Sequence, residues 1–242
     1  MLRLLVGILL LPLSASLFWA AAKALAGVAL GASAAAPFVA GMGLMAVSWV
    51  LGRHVIDPIG PLGRGVRAAR WLYVLGHELT HALAAWTSGG KVFAIHVGEK
   101  GGHVDLSHSS AFVALAPYCV PFHALLVVAG YRALLWLKPE AQAEALFLLL
   151  MGGALAFHAL MTWETLTRVR QPDLDDAGGR VFSFVLIALA NGLVMLLLLK
   201  VLFLESVALG AALKTAGLRA WWFWTKAWAW VWPEAKALWR RA

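Results

Sequence analysis

Charge and cysteine are scarce in this sequence. Asp, Glu, Lys and Arg together make up 13% of its 242 residues, against roughly a quarter in an ordinary soluble domain. So little charge leaves more apolar surface than an ordinary soluble domain has. The one cysteine, Cys119, excludes an internal disulfide; it lies in an apolar run and reads as a packed thiol. Acidic groups are the scarcer sign, 12 against 20 basic ones. The basic residues form no dense patch with interleaved aromatics, which argues against a nucleic-acid partner. They fall between apolar runs instead, at Arg53, Arg64, Arg67 and Arg70 and at Arg168 and Arg170, a pattern that suits helix ends facing anionic headgroups. Internal repeats and low-complexity linkers are also missing.

What is abundant is apolar surface. Hydrophobic residues account for 62% of the chain and the mean hydropathy is +0.80, more than one soluble core hides, so the bilayer is the expected solvent. Six apolar runs can be marked off. The first, about 4–22, ends at Lys23; its small residues also fit a cleaved signal, but further spans follow directly and a retained span is preferred. The second, about 25–51, is rich in Gly and Ala, which permit close helix packing in lipid. A basic loop, Arg53 to Arg70 with Asp57-Pro58 inside it, follows, and its charge puts it and the N-terminus on the cytoplasmic side. The remaining runs are about 71–86, 111–137 (broken by Pro117 and Pro121), 143–163 and 181–204. The expected fold is an all-α membrane protein of about six transmembrane helices, with residues 1–217 as one polytopic domain.

Two segments interrupt this pattern. Between Ser88 and Ser110, the stretches Lys91 to Val97 and His103 to Leu106 flank a Gly-containing turn, Gly98 to Gly102. They predict a β-hairpin, membrane-associated or lining a cavity. At the other end, 218–242 holds seven of the 13 tryptophans, interspersed with Arg219, Lys226, Lys236, Arg240 and Arg241. Trp with Lys and Arg favours the headgroup zone, so this tail reads as an interfacial helix.

Inside the third run stands His77-Glu78-Leu79-Thr80-His81, which matches H-E-x-x-H. On a helix, side chains at i and i+4 share a face, so the two histidines can hold one Zn2+. Glu78 beside them can take a proton from a water that the ion polarises. Ionisable groups this deep in an apolar run are costly and point to function. A catalytic zinc site has three protein ligands and an open position. Asp173, Asp175 and Asp176 are candidates for the third, as are His96, His103, His108, His123 and His158. The aspartates stand out because Gly178 and Gly179 follow them and would let backbone approach closely. The alternative for these aspartates is an acidic helix N-terminus. His123, His158 and Asn191 read more simply as hydrogen-bonding groups between helices.

The motif, the Gly-rich strand-like segment 89–106 and an Asp motif before a later helix together resemble the site-2 protease family of intramembrane zinc metalloproteases, over about 68–204. In that family the third ligand is an Asp in an Asn-Pro-Asp-Gly or Leu-Asp-Gly type motif. Here Gln171-Pro172-Asp173 is the match, with Gln in the first position and the glycines displaced to Gly178-Gly179. Leu174-Asp175 is a rival alignment, and Asp176 lies closest to the glycines. The resemblance implies a zinc metalloendopeptidase with His77, His81 and Asp173 as ligands and Glu78 as base. It also implies a transmembrane protein as substrate and a multi-pass protein, with a bacterial inner membrane fitting the compact design. A non-catalytic membrane scaffold and an ion transporter using buried His and Asp are the competing readings. The oligomeric state is not legible.

Overall fold

Long runs of Leu, Ala, Val and Met build helices here because, in an apolar environment, each backbone N–H and C=O must be satisfied within its own segment. A computed structural model describes residues 1–31, 33–54, 60–98, 101–168 and 171–239. Asp57, Pro58, Arg170, Arg240 and Arg241 therefore lie outside the described residues. The described chain is mostly helical: α1 (Leu2–Gly31), α2 (Ala36–His54), α3 (Pro61–Thr87), α4 (Ala111–Cys119), α5 (Phe122–Leu137), α6 (Glu144–Arg168), α7 (Pro172–Asp176), α8 (Arg180–Leu202) and α9 (Leu209–Trp239). Strands β1 (Val92–Gly98) and β2 (Gly101–Leu106) form an antiparallel pair.

Among the described residues four helices are long and apolar enough to cross a membrane: α1, α2, α6 and α8. A fifth is added if α4 and α5, bent by 65° at their junction, count as one span. The expected six runs differ from this chiefly at α3. That helix starts at Pro61, so part of the supposed basic loop is helical, and Arg64, Arg67 and Arg70 lie on the same element as the motif. The first boundary also moves: α1 runs through Lys23 to Gly31, because one Lys among Ala and Leu is itself a good helix former. The break between α4 and α5 falls at Pro121, whose missing N–H cannot continue the ladder.

The chain divides into two units, Met1–Gly31 with Val181–Ala242, and Ala32–Arg180. In the first, small residues let α1 and α8 touch backbone to backbone. Gly192 has no room for a side chain, since a Cβ there would lie 2.9 Å from the Phe18 nitrogen. Ser14 Oγ donates to the Val185 carbonyl at 3.0 Å. Helix α9 lies along α1, with Leu17, Ala21, Leu196 and Ala216 buried together and Trp224 Nε1 donating to the Leu9 carbonyl. Trp221, Trp222, Trp228 and Trp230 remain exposed.

In the second unit, α2 and α6 meet through Gly41 and Gly152. A Cβ on either would overlap a carbonyl of the other helix, Leu149 for Gly41 and Phe38 for Gly152. Near that seam Glu164 gathers Trp49 Nε1 at 2.9 Å, Arg53 at 3.6 Å and Arg70 at 3.8 Å. The hairpin seats Val92 and Leu106 against Ala84 and Ala85 of α3 and Val113 and Ala116 of α4.

Candidate metal centre

The site is assembled by three helices and a strand, all within 32–180. Helix α3 presents His77 and His81 one turn apart, with ring centroids 4.9 Å from each other. The helix stops just beyond them. Ser88 caps its last turn by donating to the carbonyls of Ala84 and Ala85, and Gly89 takes φ 79°. Gly89 N–H then reaches Trp86 O, and Gly90 N–H reaches Ala85 O at 2.8 Å. This paired closure is a Schellman motif, which needs a left-handed residue and so favours glycine. It reverses the chain into β1.

Asp173 comes from α7, a helix of only five residues. Pro172 is pre-set for the first helical position, and Leu174, buried, fixes the short helix in place. The same motif closes it: Gly178 N–H bonds Asp175 O and Gly179 N–H bonds Leu174 O, with φ of 125° and 99°. The two glycines thus serve this turn, and Gly179 does not make the close backbone approach expected of it. A Cβ on Gly179 would meet nothing within 4 Å.

The structure brings His77, His81 and Asp173 together. Asp173 Oδ2 lies 3.6 Å from His77 Nε2 and 3.5 Å from His81 Nε2. Ligand atoms bound at about 2.0–2.2 Å around a tetrahedral zinc are roughly 3.3–3.5 Å apart, so both Asp173–histidine distances are close to the spacing that an ion demands, and all three ligand atoms lie within 4.8 Å of one another. The His81 Nδ1–H donates to the Val113 carbonyl at 2.9 Å. That bond orients the ring with Nε2 toward Asp173, and an ion between them would take the Nε2 lone pair, as in metal-bound histidines generally. His77 Nδ1 is buried and has no hydrogen-bond partner among the described residues. Two imidazoles and one carboxylate are a borderline donor set that suits zinc.

Tyr118 on α4 completes the surroundings. Its hydroxyl lies 2.7 Å from Asp173 Oδ2 and 3.1 Å from Gln171 Oε1, and its ring meets His77 edge-on. Burial would raise the Asp173 carboxyl, but its contacts with His77, His81 and Tyr118 outweigh this and hold it well below the usual carboxylate range. Asp173 therefore stays an anion, the form a cation needs.

Glu78 is buried and borders the same cavity of about 740 Å³, with His77, His81, Arg70, Gln171 and Asp173 also in its wall. Strand β2 approaches Glu78 closely at Gly102. A Cβ on Gly102 would stand 2.7 Å from Glu78 Cγ and 2.8 Å from Oε1.

The other sequence candidates go elsewhere. Asp176 borders the cavity, and Asp175 precedes it on the same short helix, but neither joins the His77–His81–Asp173 group. His123 Nε2 donates to Leu72 O on α3, the expected inter-helix role. Asn191 Nδ2 donates to the Ile187 carbonyl of its own helix at 2.9 Å. His108 sits against Ser107 and Gly90. His96 and His103 pair across the hairpin. Sequence reasoning missed Tyr118, Gly102 and the Val113 carbonyl. Only Tyr118 left a signal: a buried tyrosine in an apolar run needs a partner for its hydroxyl.

No known protein family, characterised protein or solved structure matches the chain.

Proposed function

We propose that this protein is a zinc-dependent intramembrane endopeptidase similar to the site-2 proteases, acting on transmembrane protein substrates. The observation that carries the proposal is the convergence on Asp173 Oδ2 of His77 Nε2 and His81 Nε2, with Glu78 in the same cavity. Zinc held by these three residues would polarise the attacking water and the scissile carbonyl. Glu78 takes the proton from that water as its oxygen bonds to the carbonyl carbon, then delivers it to the departing amine nitrogen as the C–N bond breaks. Asp173 balances the ion's charge, and Tyr118 holds the Asp173 carboxylate in place. Peptide bonds in a membrane helix are internally hydrogen-bonded, so a substrate unwinds locally before entering. The hairpin edge offers backbone groups to an extended substrate strand. The apolar helices support placement in a membrane, with the inner membrane of a bacterium as the proposed location and the Trp-rich part of α9 at the lipid interface.

The scaffold and transporter readings lack an equivalent. Zinc binding alone has no use for Glu78, and a transporter needs polar groups along a pathway, whereas these converge at one place. The deciding comparison is wild type against Glu78→Gln in detergent or liposomes. Both should bind zinc, and the variant should lose about 10²- to 10⁴-fold in cleavage of a transmembrane substrate. Folded wild-type protein that takes up no zinc would overturn the proposal.

A further inference from the structure

The hairpin carries a second group of metal-ligating side chains, on exposed residues. His96 and His103 are direct cross-strand partners, so their side chains leave the same face of the ladder. Asp105, two residues along β2, shares that face. The two imidazoles stack with centroids 4.5 Å apart and a 23° tilt, and His96 Nε2 lies 3.7 Å from Asp105 Oδ2. One ligand atom from each of the three falls within 4.8 Å of the others. The side chains of His96 and Asp105 are about half exposed, at 56% and 55%, so both have room to change rotamer.

We propose that His96, His103 and Asp105 form a second divalent-cation site, separate from the one at His77, that clasps β1 to β2. The donor set is again two imidazoles and a carboxylate, which selects zinc-like borderline ions over magnesium or calcium. At 3.7 Å the His96–Asp105 contact is too long for a hydrogen bond, whereas an ion about 2 Å from each donor fits between them after modest closure. Exposed side chains reach that closure by rotamer change alone. Two donors come from β2 and one from β1, so one ion links both strands. The clasp lies next to Gly102, whose backbone rests on Glu78. Binding at this outer site thus stiffens the strand that covers the inner one.

The test is a zinc titration of the metal-stripped full chain in detergent, read as bound ions per chain and as hydrogen exchange of the hairpin amides. Wild type should bind two ions. The His96→Ala/His103→Ala variant and the His77→Ala/His81→Ala variant should each bind one fewer than wild type. Zinc should slow exchange in β1 and β2 at least tenfold in wild type and in the His77→Ala/His81→Ala variant, but not in the hairpin variant. Asp105→Asn should weaken the hairpin ion tenfold or more while leaving the other in place. If the hairpin variant binds as many ions as wild type, the second site is wrong. If it binds none while wild type binds one, the hairpin site stands and the His77 site fails.

Discussion

Asp173 shows how much of a metal set can rest on a residue that is not a ligand. Its Oδ2 faces two histidines and also takes the Tyr118 hydroxyl, 2.7 Å away. The tyrosine orients the oxygen and supports its negative charge. Tyr118→Phe keeps the edge-on ring contact with His77 and removes only the hydroxyl. Loss of such an outer partner typically costs 10- to 100-fold in metal affinity. Zinc competition against a chelator should show a loss of that size, with helical content unchanged by circular dichroism; unaltered affinity would leave Tyr118 a packing residue. The His77, Glu78 and His81 trio was legible from spacing alone, because a 3.6-residue period is local information. The choice among Asp173, Asp175 and Asp176 was not. It depends on the direction in which a five-residue helix presents each side chain, and on a tyrosine far away in sequence.

Elements differ in how closely they approach one another, and the α2–α6 seam is the tightest in its unit. Gly41 and Gly152 put backbone against backbone there, the small-residue packing that substitutes for a hydrophobic driving force in lipid. Gly152→Ala places a methyl group on the Phe38 carbonyl and should cost about 1–3 kcal/mol by overpacking. Gly27→Ala on α1 is the control, since a Cβ there meets nothing and alanine is the better helix former. Unfolding in a mixed detergent should separate the two; equal stability would mean that α6 shifts freely. The hairpin and most helices were legible from hydropathy and Gly placement. The helical start of α3 was not, because Arg64, Arg67 and Arg70 look like a loop when charge is read without regard to their favourable helix propensity.

At the scale of the whole molecule, the candidate centre draws on one unit only. His77, His81, Val113, Tyr118 and Asp173 all belong to 32–180, while the two ends of the chain make the other unit. An ion binding there should stabilise what it touches by mass action, about 2.7 kcal/mol at a hundredfold excess over its dissociation constant. Hydrogen exchange with and without zinc should show that protection around 77–81, 113–118 and 171–177. Protection confined to 2–31 or 181–239 would contradict the assignment. Hydropathy marks which stretches are apolar; it carries no record of which stretches share a unit, since that depends on contacts between distant parts of the chain.

The two helices that carry the candidate ligands, α3 and α7, stop in the same way, each on glycines held in a left-handed conformation: Gly89 for one, Gly178 and Gly179 for the other. Any base change in a glycine codon that alters the residue introduces an L amino acid, for which that conformation is strained. Point mutation can therefore reach the candidate metal set from outside it, by handedness alone, at positions that no inventory of ligands would flag.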